Sequence, residues 1–169
     1  MNIALDHWHI EVSSICTLKC PRWTRAEVPE TLLNRSLDLK FFQEQIGQTR
    51  IKQIKKISFC GDDGDPIYAK QFLEIVQWIK HINPTLQLSI ITNGSYKKNH
   101  WWESLATSTN EYDEIHWSLD GWDQESNSKY RVNCDWNSII DGIRTFKKHN
   151  NSTYTVIATS SYTNGSECV

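Results

Sequence analysis

Cys16 and Cys20, three residues apart and followed by Pro21, are the side chains of this sequence best suited to metal chemistry. They follow a stretch in which Trp8, Ile10 and Val12 alternate with His9, Glu11 and Ser13, the period-two pattern of a strand. The strand therefore delivers two thiols onto a loop. Thiols converging on one loop suit an iron-sulfur cluster, which needs several thiolates within a few ångströms of one another. Cys60 ends a second strand-like stretch and is the candidate for a further ligand, set against the simpler reading of a buried small hydrophobe, which its residue type favours. Cys134 and Cys168 fall on irregular stretches and read as incidental thiols. His9 and Glu11 point away from Ile10, toward a substrate or, as such residues more often do, into hydrogen bonds at the end of a barrel. Asp62, Asp63 and Asp65 have the spacing of a hard-cation loop but lack the glutamate that a calcium hand needs. Turn formation and helix capping account for them more simply.

Residues of this kind need elements to hold them, and strand-like and helix-like stretches alternate along the chain. After the cysteine loop, Ser36 is a plausible N-cap for a helix over 37–46, with Gly47 ending it. Strands are expected over 56–60, 86–92, 114–120 and 153–159. Between them Pro66 opens a helix capped by Asp65, whose Phe72, Ile75, Val76, Ile79 and Ile82 repeat at helical spacing. A modest helix covers 100–107, and Trp136, Ile139, Ile140, Ile143 and Phe146 mark another after an irregular stretch, 122–134. Such alternation implies right-handed crossovers and a parallel sheet, with the ligand site at the carboxyl ends of the strands. The cysteines, the Gly61–Gly64 turn, Thr92-Asn93-Gly94 and Ser118 with Asp120 all fall there.

The composition narrows the class. With 169 residues, one domain is expected. A formal net charge of -2 and a charged fraction of 22% leave no basic footprint for nucleic acid. No apolar run approaches a membrane span and no signal peptide is visible, so the expected compartment is the cytoplasm. Five scattered cysteines, an odd number, fit a reducing compartment rather than a disulfide framework. Two thiols separated by three residues also depart from the two-residue spacing of a thioredoxin-like redox motif. Eight tryptophans, with Trp101 and Trp102 adjacent, have no functional explanation at this level.

These motifs together resemble the radical S-adenosylmethionine (radical SAM) superfamily. Cys16 and Cys20 match the first two positions of its C-x3-C-x2-C loop, and Trp23 stands at the third. Gly64-Asp65-Pro66 resembles its Gly-Glu-Pro turn after strand two, preceded here by Gly61 and two further residues. Thr92-Asn93-Gly94, Ser118-Leu119-Asp120-Gly121 and Tyr130-Arg131 resemble motifs at later strand ends. The resemblance implies an α/β fold, a partial (β/α) barrel of about five units of a six-unit core, spanning residues 1–169 and lacking the last unit. It implies a [4Fe-4S] cluster held by Cys16 and Cys20, with Cys60 as the possible replacement ligand. It also implies S-adenosylmethionine bound by Gly61, Gly64, Asp65, Pro66, Asn93, Ser118, Asp120 and Arg131, Arg131 lying near its carboxylate.

The expected function is radical hydrogen abstraction from a small-molecule or peptide substrate, fed by an electron donor. Because indole cannot ligate iron, the alternative is a cluster-free, inactive relative or fragment that serves as a binding module. No residue is singled out as the catalytic one.

Overall fold

The computed structural model describes residues 6–21, 25, 33–150 and 153–158, the last of these by backbone alone. Five strands, β1 (His7–Ile10), β2 (Lys56–Phe59), β3 (Gln87–Thr92), β4 (Glu114–Leu119) and β5 (Thr153–Ala158), form one sheet in sequence order. Every neighbouring pair is parallel. The helices are α1 (Leu39–Phe41), which runs through a π-helical turn (Phe42–Ile46) into α2 (Gly47–Gln53), then α3 (Phe72–Ile82), α4 (Asn99–Ser108), α5 (Gln124–Ser128) and α6 (Trp136–His149). A 3-10 turn, Pro66–Tyr68, precedes α3. This is the α/β architecture expected of a partial (β/α) barrel.

The strand alternation separates two chemistries. Ile57, Phe59, Leu88, Ile90, Ile115 and Trp117 are fully buried under the helices. On the opposite face His7 Nε2 meets Ser58 Oγ at 2.9 Å, and Glu114 accepts from Gln87 Nε2 at 2.8 Å and Lys56 Nζ at 3.3 Å. A continuous run of ring contacts crosses the helix-covered face: Phe42, Phe59, Phe72, Trp101, Trp102, Trp117 and Phe146, with centroids 5.0 to 6.4 Å apart. Trp102 is thus a core residue and the half-buried Trp101 packs against the core, with roughly 0.5–1.5 kcal/mol per ring pair beyond the area buried.

Three local expectations are corrected. Asp38, not Ser36, caps α1, accepting from Phe41 N–H at 2.8 Å. Ser36 instead pairs with Ser13 in an antiparallel bridge, with their hydroxyls 3.1 Å apart, because Leu37 N–H donates to Val12 O at 2.9 Å. Gly47 ends the first helical stretch at Ile46 as expected, its φ of +74°, which a glycine adopts freely, turning the chain before a second segment continues to Gln53. Pro66 opens only the 3-10 turn, capped by Asp65 as expected, and the apolar repeat belongs to α3. The stretch 122–134 contains α5, started by a capping box between Asp123 and Ser126.

Candidate active site at the carboxyl ends of the strands

A cavity of about 200 Å3 opens where the loops after β1 to β4 meet. Cys16, Cys20 and Cys60 line it, and so do Gly61, Gly64 and Asp65. Asn93, Ser118 and Arg131, also expected from the sequence, line it as well. Two expected residues stand behind it. Pro66 is buried at the start of the 3-10 turn, and the Asp120 carboxylate lies beneath Arg131, accepting from its Nε at 2.5 Å. Leu18, Thr92, Ile91 and Tyr130 also line the cavity. Of these, Thr92 and Tyr130 carried a signal in the sequence, in the Thr92-Asn93-Gly94 and Tyr130-Arg131 motifs.

The cysteine loop and the turn after β2 are fastened to each other. Glu11 Oε1 accepts from the backbone N–H groups of Asp63 (2.7 Å) and Gly64 (2.9 Å). Asp65 N–H donates to Ile15 O at 3.0 Å, and Arg25 donates to both Ser14 O and Asp63 O. Glu11 is therefore a hydrogen-bonded scaffold residue, while His9 is exposed on the strand before it. Tyr68 extends the fastening to the third loop, its hydroxyl lying 2.7 Å from Thr17 Oγ1 and 2.8 Å from Ser95 O. Tyr68 carried no signal in the sequence, because its role depends on two distant loops.

Gly64 is required by this packing. A Cβ there would lie 1.9 Å from Ser13 O and 2.7 Å from Ile15 N, both backbone atoms with no room to yield. Gly64→Ala is expected to cost about 1–3 kcal/mol in denaturant unfolding. It should also push the two loops apart, seen as faster amide exchange at Asp63 and Gly64; unchanged exchange would refute the fastening.

Asp65 is the hub of the site rather than a free carboxylate. It accepts from Thr92 Oγ1 (2.9 Å), Asn93 N–H (2.7 Å), Asn93 Nδ2 (2.6 Å) and Ile67 N–H (3.2 Å). Its acceptor capacity is spent inside the protein, so the hard-cation reading of the aspartates does not hold for it. Asn93, so oriented, also points Nδ2 at Cys16 Sγ, 3.6 Å away.

Burial governs the thiols. It pushes Cys16 up to about 11, with Asp65 adding to the rise. Cys20 is raised by burial despite the guanidinium of Arg131 beside it, and Cys60 by burial and then by Asp62 and Asp65. Without a metal all three are protonated thiols at neutral pH, and coordination would deprotonate them. Among the described residues no three His, Cys, Asp or Glu side chains converge on the position of a single ion. The donor set suits a cluster better, because each cluster thiolate binds its own iron. Cys134 lies elsewhere, buried and accepting from Asn127 Nδ2 at 3.2 Å. Trp23 and Cys168 lie outside the described residues.

No protein-family model and no curated protein matches the sequence. Solved structures do match the fold. Streptococcus suis SuiB bound to precursor peptide SuiA superposes with a TM-score of 0.71 at 18% identity, covering 94% of this chain and 34% of SuiB. BtrN in complex with AdoMet and 2-DOIA gives 0.61 at 15% identity, over 92% of this chain and 58% of BtrN. Methylornithine synthase (PylB) gives 0.60 at 18% identity, over 89% and 42%. These are radical SAM enzymes. This chain has the radical SAM fold. It spans between about a third and three-fifths of the length of those proteins. On the radical SAM fold, the cavity lies at the carboxyl end of the parallel sheet, where the sequence motifs converge. Among the described residues no helix is long and apolar enough to cross a membrane.

Proposed function

We propose that this chain is a radical SAM domain that binds a [4Fe-4S] cluster and S-adenosylmethionine and abstracts hydrogen from a small-molecule or peptide substrate. The observation that carries the reading is one cavity lined at once by Cys16 and Cys20, by Gly61 and Gly64, and by Asn93, Ser118 and Arg131. Residues 1–169 would form one such domain.

Cys16 and Cys20 would hold the cluster. The chemistry that a bound cluster and S-adenosylmethionine supply is one-electron cleavage of the sulfonium, with the electron coming from an external donor. The remaining residues bind and orient. Arg131 offers a cation to the S-adenosylmethionine carboxylate, held in place by Asp120 through Nε. Asn93 and Ser118 present polar groups to the cavity, and Gly61 and Gly64 line it with backbone. The polar inward face of the sheet, with Ser58, Ser89, Glu114 and His116, is where a substrate would enter.

Equilibrium dialysis of S-adenosylmethionine against the anaerobically iron- and sulfide-treated protein tests this. Binding is expected, with Arg131→Met weakening it roughly 10- to 100-fold and Arg131→Lys less, as loss of a charge-assisted hydrogen bond of about 1.5–3 kcal/mol implies. Retention of no S-adenosylmethionine by treated or untreated protein would overturn the reading.

A further inference from the structure

We propose that Cys60 is the third protein ligand of the cluster, supplying from the end of β2 the thiolate that Trp23 cannot supply from the cysteine loop. The inference rests on the cluster reading above and deepens it.

Three observations carry it. First, Cys60 lines the same cavity as Cys16 and Cys20, whereas Cys134 is buried away from it against Asn127. Second, the topology makes the approach local. β1 and β2 are hydrogen-bonded neighbours with Ile10 level with Phe59, so Cys60 leaves the sheet beside the start of the cysteine loop. Third, after Cys60 the turn is fastened to the cysteine loop by Glu11 to Asp63 and Gly64 and by Asp65 to Ile15, while before it β2 is paired with β1 up to Phe59. A ligand on that turn is therefore tied to the loop that carries Cys16.

The electrostatics set a condition. Glu11, Asp62 and Asp65 surround Cys60 with negative charge, so an unliganded thiolate there is opposed. Iron supplies the positive charge that reverses this, as it does for any coordinating thiol.

The test is anaerobic reconstitution with ferrous iron and sulfide, reading iron and sulfide per chain, visible absorption and the EPR spectrum of the dithionite-reduced protein. The variants are Cys60→Ala, Cys60→Ser, Trp23→Cys and the double variant Trp23→Cys/Cys60→Ala, each checked for folding by circular dichroism. The unmodified chain is expected to hold about four irons, as a [4Fe-4S] cluster requires. Both Cys60 variants should lose at least half of that iron, and the double variant should regain it. If Cys60→Ala keeps the full iron content and an unchanged spectrum, Cys60 is not a ligand, while the cluster reading survives. If the unmodified chain holds no iron but Trp23→Cys does, Cys60 is again refuted and the native chain is a cluster-free relative. If neither holds iron, the cluster reading fails as well.

Discussion

Asp65→Ala is expected to destabilise the protein by about 3–5 kcal/mol, because it strands several buried donors that each cost about 1–3 kcal/mol when unpaired. The carboxylate is 4% exposed and receives two hydrogen bonds from Asn93, one from Thr92 and one from Ile67 N–H. Losing them frees Asn93 as well, so S-adenosylmethionine affinity should fall with stability. Urea titration of the purified variant reads the first effect; a loss below about 1 kcal/mol would mean that water replaces the carboxylate without strain.

The same residue makes a pH prediction. Burial raises Asp65 from 3.8 to about 6, against the opposing pull of its hydrogen bonds from Asn93, Thr92 and Ile67. Between those values the folded protein keeps a proton that the unfolded chain has released. The contribution of Asp65 to stability is thus greatest below about pH 4 and falls as pH rises through about 6, by roughly 3 kcal/mol in all. The stability gap between the unmodified protein and Asp65→Asn should therefore narrow from pH 4 to 6 and stay level above it. A gap that widens over that range would show that the hydrogen bonds outweigh burial.

Lys80→Met should cost about 3–5 kcal/mol, the usual penalty for removing one partner of a buried ion pair. Lys80, in the last turn of α3, donates from Nζ to Asp113 Oδ1 at 3.0 Å, Leu86 O at 2.9 Å and Asn110 Oδ1 at 3.1 Å. Asp113 is fully buried and also accepts from Leu88 N–H and Asn110 N–H, both at 2.8 Å. Methionine fills the space but leaves that charge without its cation. Lys55→Met, which breaks the exposed pair with Asp6, should leave the unfolding midpoint essentially unchanged. Guanidinium unfolding of the two variants side by side makes the comparison; equal losses would refute the role of burial. The Lys80 pair sits at the amino ends of β3 and β4, so S-adenosylmethionine binding by the folded variant should be unchanged.

The sequence by itself was enough for the layout: five strands alternating with helices, chemistry gathered at their carboxyl ends, Cys16 and Cys20 on the first loop, Asp65 as a cap. Periodicity and capping are properties of neighbouring residues, and parallel topology follows from the order of elements. What needed the tertiary structure was every choice between a local partner and a distant one. Ser36 is a sound cap by its type, yet a bridge to Ser13 claimed it and left the helix to Asp38. Glu11 reads as a hydrogen-bonded group more readily than as a substrate contact, but only the fold supplies its partners, two backbone N–H groups some fifty residues away. The Trp101-Trp102 pair became a core contact only because β4 and α6 bring Trp117 and Phe146 to it. Asp65 is legible as a cap, but the distant partners that occupy its oxygens, Thr92 and Asn93, come only with the fold. Buried polar groups take whichever partner the fold delivers, because leaving one unpaired costs more than any local preference provides.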